Sequence, residues 1–124
     1  MSDWIQSIDH VQVAAPPGCE PEARRYYGEL LGLRELIKPD SLKQQGGCWF
    51  ASANGQQLHV GVQHPFTPAR KAHPAFAITR FDELRARMTE LGAEVIDDSA
   101  IAGLRRFFSY DPWGNRLEFV ERSA

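Results

Sequence analysis

Asp111-Pro112-Trp113-Gly114-Asn115-Arg116-Leu117-Glu118 is a turn running into a strand, punctuated by a proline and a glycine. The same cadence closes the first half of the chain. There, Gly55-Gln56-Gln57-Leu58-His59 sets a glycine three residues before a leucine and four before a side chain able to bind metal. Glycine, leucine and donor all recur at an offset of 59 residues. Outward from these stretches, Leu31-Gly32 and Leu91-Gly92 read as helix ends 60 residues apart, and His10 and His73, each opening a strand, lie 63 apart. The sequence therefore predicts one domain made of two like modules, about 1–63 and 73–124. The connector over 64–72, with Pro65, Pro68, Arg70 and Lys71, reads as exposed, and His64 as plain loop.

Within the first module, Ala23, Tyr26, Tyr27, Leu30 and Leu31 follow the i, i+3, i+4, i+7, i+8 pattern of an amphipathic α-helix, with Pro21 in its first turn and Gly32 at its stop. In the second, 73–78 reads as a strand, Thr79-Arg80-Phe81-Asp82 resembles a capping box, and Phe81, Leu84, Met88 and Leu91 form the buried stripe. Strand alternation sorts the remaining residues into faces. Val11, Val13, Leu58, Val60, Leu117 and Phe119 face the helices, while His10, Gln12, Gln57, His59, Arg116 and Glu118 face away.

The 124 residues are 43% hydrophobic and 24% charged, as in a single soluble globular domain. Fourteen basic against sixteen acidic residues, a net charge of -2 without a basic stripe, argue against a nucleic-acid partner or a membrane surface. The N-terminal residues lack the basic and apolar regions of a signal peptide, and no apolar run reaches the roughly 20 residues of a spanning helix, so a cytoplasmic protein is expected. Cys19 and Cys48 lack the spacing of a disulfide framework or a thiolate zinc site.

Three of the four histidines, His10, His59 and His73, together with Glu118, fall at repeat-equivalent positions on the polar face. Three neutral imidazoles and a carboxylate suit a divalent ion, Zn, Ni, Mn or Fe(II), with room left for substrate. Glu118 and His59 are then the candidates for proton transfer. Arg106, sharing a face with Phe108, and Arg116, two residues before Glu118, are candidates to bind a substrate carboxylate. Gln12 and Phe108 complete the expected substrate-binding set. Of Trp49, Phe50, Phe107 and Phe108, one or two are expected to line a pocket and the rest to be core.

Ile8-Asp9-His10-Val11, the Ala23 to Leu33 helix with its Tyr26-Tyr27-Gly28-Glu29-Leu30-Leu31-Gly32 end, Leu58-His59-Val60-Gly61-Val62, Lys71-Ala72-His73-Pro74-Ala75-Phe76 and the 111–119 stretch together resemble the vicinal oxygen chelate superfamily, the glyoxalase, bleomycin-resistance and extradiol-dioxygenase group. The resemblance implies an α+β fold of paired βαβββ modules, their strands forming a curled mixed sheet with helices on its outer face. It implies a divalent metal and a homodimer. Carried over by position, His10, His73 and Glu118 fall on the family's metal ligands, and His59 falls where glyoxalase I enzymes place a fourth, commonly a glutamate. Fosfomycin-resistance transferases carry threonine and tyrosine where this chain has Gln12 and Phe108, which argues against that activity. Three readings follow: a metal-dependent lyase or isomerase acting on a small oxygenated or carbonyl substrate, an Fe(II) extradiol-type dioxygenase, and a non-enzymatic drug-binding module.

Overall fold

In the computed structural model, which describes residues 2–122, the 111–115 turn is built by the Asp111 side chain. One carboxylate oxygen accepts from the backbone N–H groups of Trp113 (3.1 Å) and Asn115 (2.9 Å), and the other accepts from the Asn115 amide (2.9 Å). Asn115 Oδ1 in turn accepts from the Ala69 N–H at 3.0 Å. Gly114 closes the turn at φ 95°, a left-handed conformation that disfavours other residues. This turn joins strands β7 (Arg106–Tyr110) and β8 (Arg116–Glu121). Its counterpart joins β3 (Cys48–Ala51) and β4 (Gln57–Val62). The backbone bonds match residue for residue: Ser52 N–H to Gln56 and Gly55 N–H to Ser52 in one, Asp111 N–H to Asn115 and Gly114 N–H to Asp111 in the other. The 59-residue offset is thus a repeat of turn geometry, with serine and asparagine doing in the first turn what Asp111 does in the second.

The chain divides into two compact units, one ending at Phe66 and the other beginning at Thr67. Each is a βαβββ module of the same topology. With β1 (His10–Ala15), β2 (Arg34–Leu36), β5 (Ala75–Ile78) and β6 (Ile96–Asp98), the strand orders are β1-β4-β3-β2 and β5-β8-β7-β6. In both, the first strand pairs parallel to the last and the others pair antiparallel. The α+β class and glyoxalase-like topology hold. The strands form two four-stranded mixed sheets, each hydrogen-bonded within its own unit. Met1, Ser123 and Ala124, at the ends of the expected modules, lie outside the described residues. No helix among the described residues is long and apolar enough to cross a membrane.

The first helix departs from the periodicity expected for it. Only Glu20–Ala23 is α-helical (α1); Arg24–Leu30 continues as a π-helix, and Leu31 N–H reaches back to Tyr26 C=O at 3.0 Å. The wider turn lets two successive tyrosines enter the core. Tyr26 and Tyr27 meet edge to face at 4.9 Å, and Tyr27 packs on Phe50 at 6.0 Å. The cost falls on Leu30 and Leu31, which the widened spiral rotates off the core face into half-exposed positions.

The second helix, α2 (Phe81–Glu90), starts from Arg80 in a left-handed conformation (φ 50°) without a side-chain cap, so the expected Thr79 capping box does not form. The Arg122 N–H bonded to the Ile78 carbonyl (2.8 Å) holds the chain to the sheet until just before that turn. Phe81 and Met88 are buried as expected, Leu84 is half-buried, and Leu91, beyond the last turn, is exposed. Phe81, Phe107 and Phe119 form the centre of this core, with Phe107 stacked on Phe119 at 4.9 Å and meeting Phe81 edge-on at 5.4 Å.

Two details pin the first unit. Gly47 sits at φ 84° with its Cα so close to β4 that an added Cβ would stand 2.1 Å from the Val60 carbonyl oxygen. Its N–H donates to Glu20 Oε2 at 2.6 Å, and this bond holds the Glu20 carboxyl below the usual carboxylate range. Because the folded state binds that proton more weakly than the unfolded chain, the contribution is complete above the ordinary glutamate pKa of about 4.3 and is lost as pH falls through the lowered folded value. Urea unfolding of Glu20→Gln should therefore show a shallower loss of stability between pH 5 and 3, a range set by those pKa values, than the parent chain. Cys19 and Cys48 are free and buried, and burial pushes the Cys48 thiol up to about 11.

Candidate functional site

In each unit the strand residues facing away from the helix collect the expected donors. In the first, β4 lies between β1 and β3, so His59 is opposite Gln12 on one side and Trp49 on the other. The three rings of Trp49, His59 and His10 form a continuous stack. Trp49 and His59 lie 4.1 Å apart at 5°, and His59 and His10 lie 4.2 Å apart at 16°. Only 5% of His59 is exposed, so the face read as polar is closed over by aromatic rings at this point. Burial first, and the neighbouring His10 second, hold the His59 pKa below the ordinary imidazole value. Its Nε2–H donates to Gln57 Oε1 at 2.8 Å, which leaves Nδ1 as the ring's lone pair. His10 Nδ1–H donates to Asp9 Oδ2 at 2.9 Å, leaving Nε2 open, and the Gln12 side chain lies against Gly61.

In the second unit, β8 lies between β5 and β7, with Glu118 opposite Ala75 and Phe108. Phe108 therefore occupies the register position of Trp49, and Glu118 that of His59. The Glu118 carboxylate, 7% exposed, is held from two sides: Oε1 lies 2.9 Å from His73 Nε2, and Oε2 accepts from Arg106 Nη1 at 3.2 Å. Arg106 is itself held by Asp98, Nε to Oδ1 at 3.1 Å. His73 meets the Phe108 ring edge-on at 5.6 Å. Arg106 and Arg116 both lie over that ring, at 5.1 and 4.1 Å.

His73 carries the most informative contact. Its Nδ1 faces the Lys71 carbonyl oxygen at 2.8 Å, an acceptor only, so Nδ1 bears the hydrogen. In the neutral ring Nε2 is then a lone pair, and it faces a carboxylate oxygen. Two lone pairs held at this distance require a cation between them, a proton or a metal ion. Their 2.9 Å separation is also the span of two metal bonds of about 2.0–2.1 Å meeting near a right angle. The backbone carbonyl on Nδ1 and the guanidinium on Glu118 are the outer-shell partners that metal ligands usually have. The donors of this unit fit a divalent ion.

The first unit's donors differ. Ring planes inclined by 16° and about 4 Å apart meet only roughly 10 Å or more from the rings, whereas a metal lies about 2 Å from its nitrogen. His10 and His59, as they stand, do not aim at a common ion. Within each unit, among the described residues, no three His, Cys, Asp or Glu side chains gather at one point.

Phe50 and Phe107 are fully buried core, while Trp49 and Phe108 stay with the donors. Sequence reasoning missed Asp9 and Asp98, the carboxylates behind His10 and Arg106. The adjacency of Asp9 to His10 was a usable signal; Asp98 gave none, because only strand pairing brings β6 beside Arg106. An open cavity of about 680 Å³ in the first unit, lined by Glu20, Arg24, Glu35, Lys38 and Lys43 among others, includes none of the donors.

The fold agrees with what known proteins show. No curated protein matches the chain. Among solved structures, a glyoxalase family protein from Bacillus anthracis is 52% identical, with a TM-score of 0.93 over 99% of this chain and 100% of that one. A glyoxalase/dioxygenase from Nostoc punctiforme (20% identity, TM-score 0.79, 96% and 92% covered) and the fosfomycin resistance protein FosX from Listeria monocytogenes (18%, 0.76, 94% and 91%) share the fold. The family model of the glyoxalase-like domain matches residues 19–120, from the start of the first helix into β8. The chain belongs to the glyoxalase-like domain family, within the vicinal oxygen chelate superfamily.

Proposed function

We propose that the protein is a divalent-metal-dependent lyase or isomerase acting on a small oxygenated or carbonyl substrate. The observation that carries this reading is His73, whose two nitrogens both face acceptors, one of them the Glu118 carboxylate. His73 Nε2 and Glu118 would hold the ion. When bound, the ion supplies a Lewis acid that withdraws charge from two vicinal substrate oxygens. The chain's own residues do the rest. Arg106 orients Glu118, and Asp98 orients Arg106. Burial lowers the His59 pKa, which favours the neutral ring with Nδ1 as its lone pair, and Trp49 stacks on that ring. Trp4, Ile5, Ile8 and Val11, exposed on and before the edge strand β1, support the homodimer expected of the fold.

Metal analysis after mild purification tests the proposal. About one divalent ion per chain is expected, lost on His73→Ala. A metal-free protein that takes up no added Zn, Ni, Mn or Fe(II) would refute it. The pairing of the His73 imidazole with the Glu118 carboxylate also admits a second reading, an Fe(II) extradiol-type dioxygenase. Oxygen uptake with catechol and added Fe(II) under reducing conditions separates the two.

A further inference from the structure

Two arginines lie over one aromatic ring in the second unit, and they are not equivalent. Arg106 has its counter-ions, Asp98 at 3.1 Å and Glu118 at 3.2 Å. Arg116, its guanidinium carbon 4.1 Å from the Phe108 ring centroid, makes no side-chain hydrogen bond or ion pair among the described residues, and its Nε is buried without a partner. The strand register fixes it there: Arg116 pairs with Tyr110, two positions from the Phe108–Glu118 pair and on the same face. An N–H shut away from water and left without an acceptor is costly, so a half-buried guanidinium in this state is prepared for an acceptor that arrives with a ligand. Stacking on Phe108 orients the guanidinium plane, which lowers the entropy lost when a planar oxyanion docks on it.

We propose that Arg116 is the recognition group for an oxyanion, a carboxylate or its phosphonate equivalent, on the substrate, so that the protein selects small anionic molecules over neutral ones of the same shape. This rests on the reading that Glu118 lies at the reacting end, two residues along the strand. Arg106, with both of its partners in place, serves as a positioning residue for Glu118 and does not bind the anion.

The test uses the full chain as purified, ¹⁵N-labelled, with benzoate as probe and benzamide as its neutral counterpart. The Arg116 side-chain Nε–H resonance, identified by its disappearance in Arg116→Lys, should move saturably with benzoate and stay still with benzamide. Arg116→Lys and Arg116→Gln, both checked for native circular dichroism, should weaken benzoate binding about tenfold or more, the effect of one charge-assisted bidentate contact. An Nε–H resonance that ignores benzoate, an equal response to benzamide, or unchanged affinity in either folded variant would overturn the proposal. Benzoate binding through Arg116 in a protein that takes up no metal upholds this assignment while removing the metal reading; metal uptake with an unresponsive Nε–H does the reverse.

Discussion

Replacing Glu118 by alanine should abolish the metal uptake proposed above and lower the melting temperature together. The carboxylate is nearly buried and joins His73 and Arg106. Without it, Arg106 keeps only Asp98, and a mostly buried guanidinium loses half of its compensation. Breaking the pair from one side is destabilising, because the remaining charge keeps its desolvation and loses its partner. Loss of an outer-shell partner lowers metal affinity by about 10–100-fold, so loss of a donor should lower it by about 100-fold or more. Glu118→Gln separates the two effects. It keeps the shape and one acceptor oxygen, and should recover much of the stability while leaving the metal affinity low. A Glu118→Ala protein that melts early yet retains metal would show that the carboxylate is a structural partner of Arg106 only.

Phe107→Ala should be the most damaging core substitution in the second unit. Its ring is fully buried and touches Phe119 face to face and Phe81 edge-on, linking β8 to α2. Removing it deletes the contact between sheet and helix and leaves a cavity that two remaining rings cannot fill without leaving their own contacts. The expected loss is about 3–5 kcal/mol. At a few degrees per kcal/mol for a chain of this size, that is roughly 10 °C or more in melting temperature. Phe107→Leu should lose much less. A thermal denaturation curve shifted by under about 3 °C, or under roughly 1 kcal/mol, would contradict the central place given to this ring.

What was legible in the sequence was what local chemistry decides. The 111–118 stretch announces itself because Asp111, Gly114 and Asn115 build their turn almost entirely from one another. The donors were placed on one face because strand alternation needs no knowledge of neighbours. What was not legible depended on partners distant in sequence. The π-helix arises where Tyr27 packs on Phe50, a contact that helical periodicity cannot anticipate. Arg80, not Thr79, opens α2 because β5 stays bonded to the C-terminal end of β8. His59 was placed on the polar face as a metal-binding candidate, yet Trp49 and His10 cover it from flanking strands. Arg106 and Arg116 looked interchangeable until β6 brought Asp98 into hydrogen-bonding reach of one and left the Nε of the other without a partner.

The parallel pairing of first and last strands has a consequence in time. As the chain emerges from its N-terminus, β1 has no neighbour to zip onto until β4 has been made, and β5 must wait likewise for β8. The antiparallel hairpins between them close across short loops and can form early, whereas the parallel strand must find its place across the whole module, the slower kind of event. That late step is also the one that sets His10 beside His59 and His73 beside Glu118. Each donor pair therefore comes into being only as its module finishes folding, so a half-made module presents no assembled pair to passing metal.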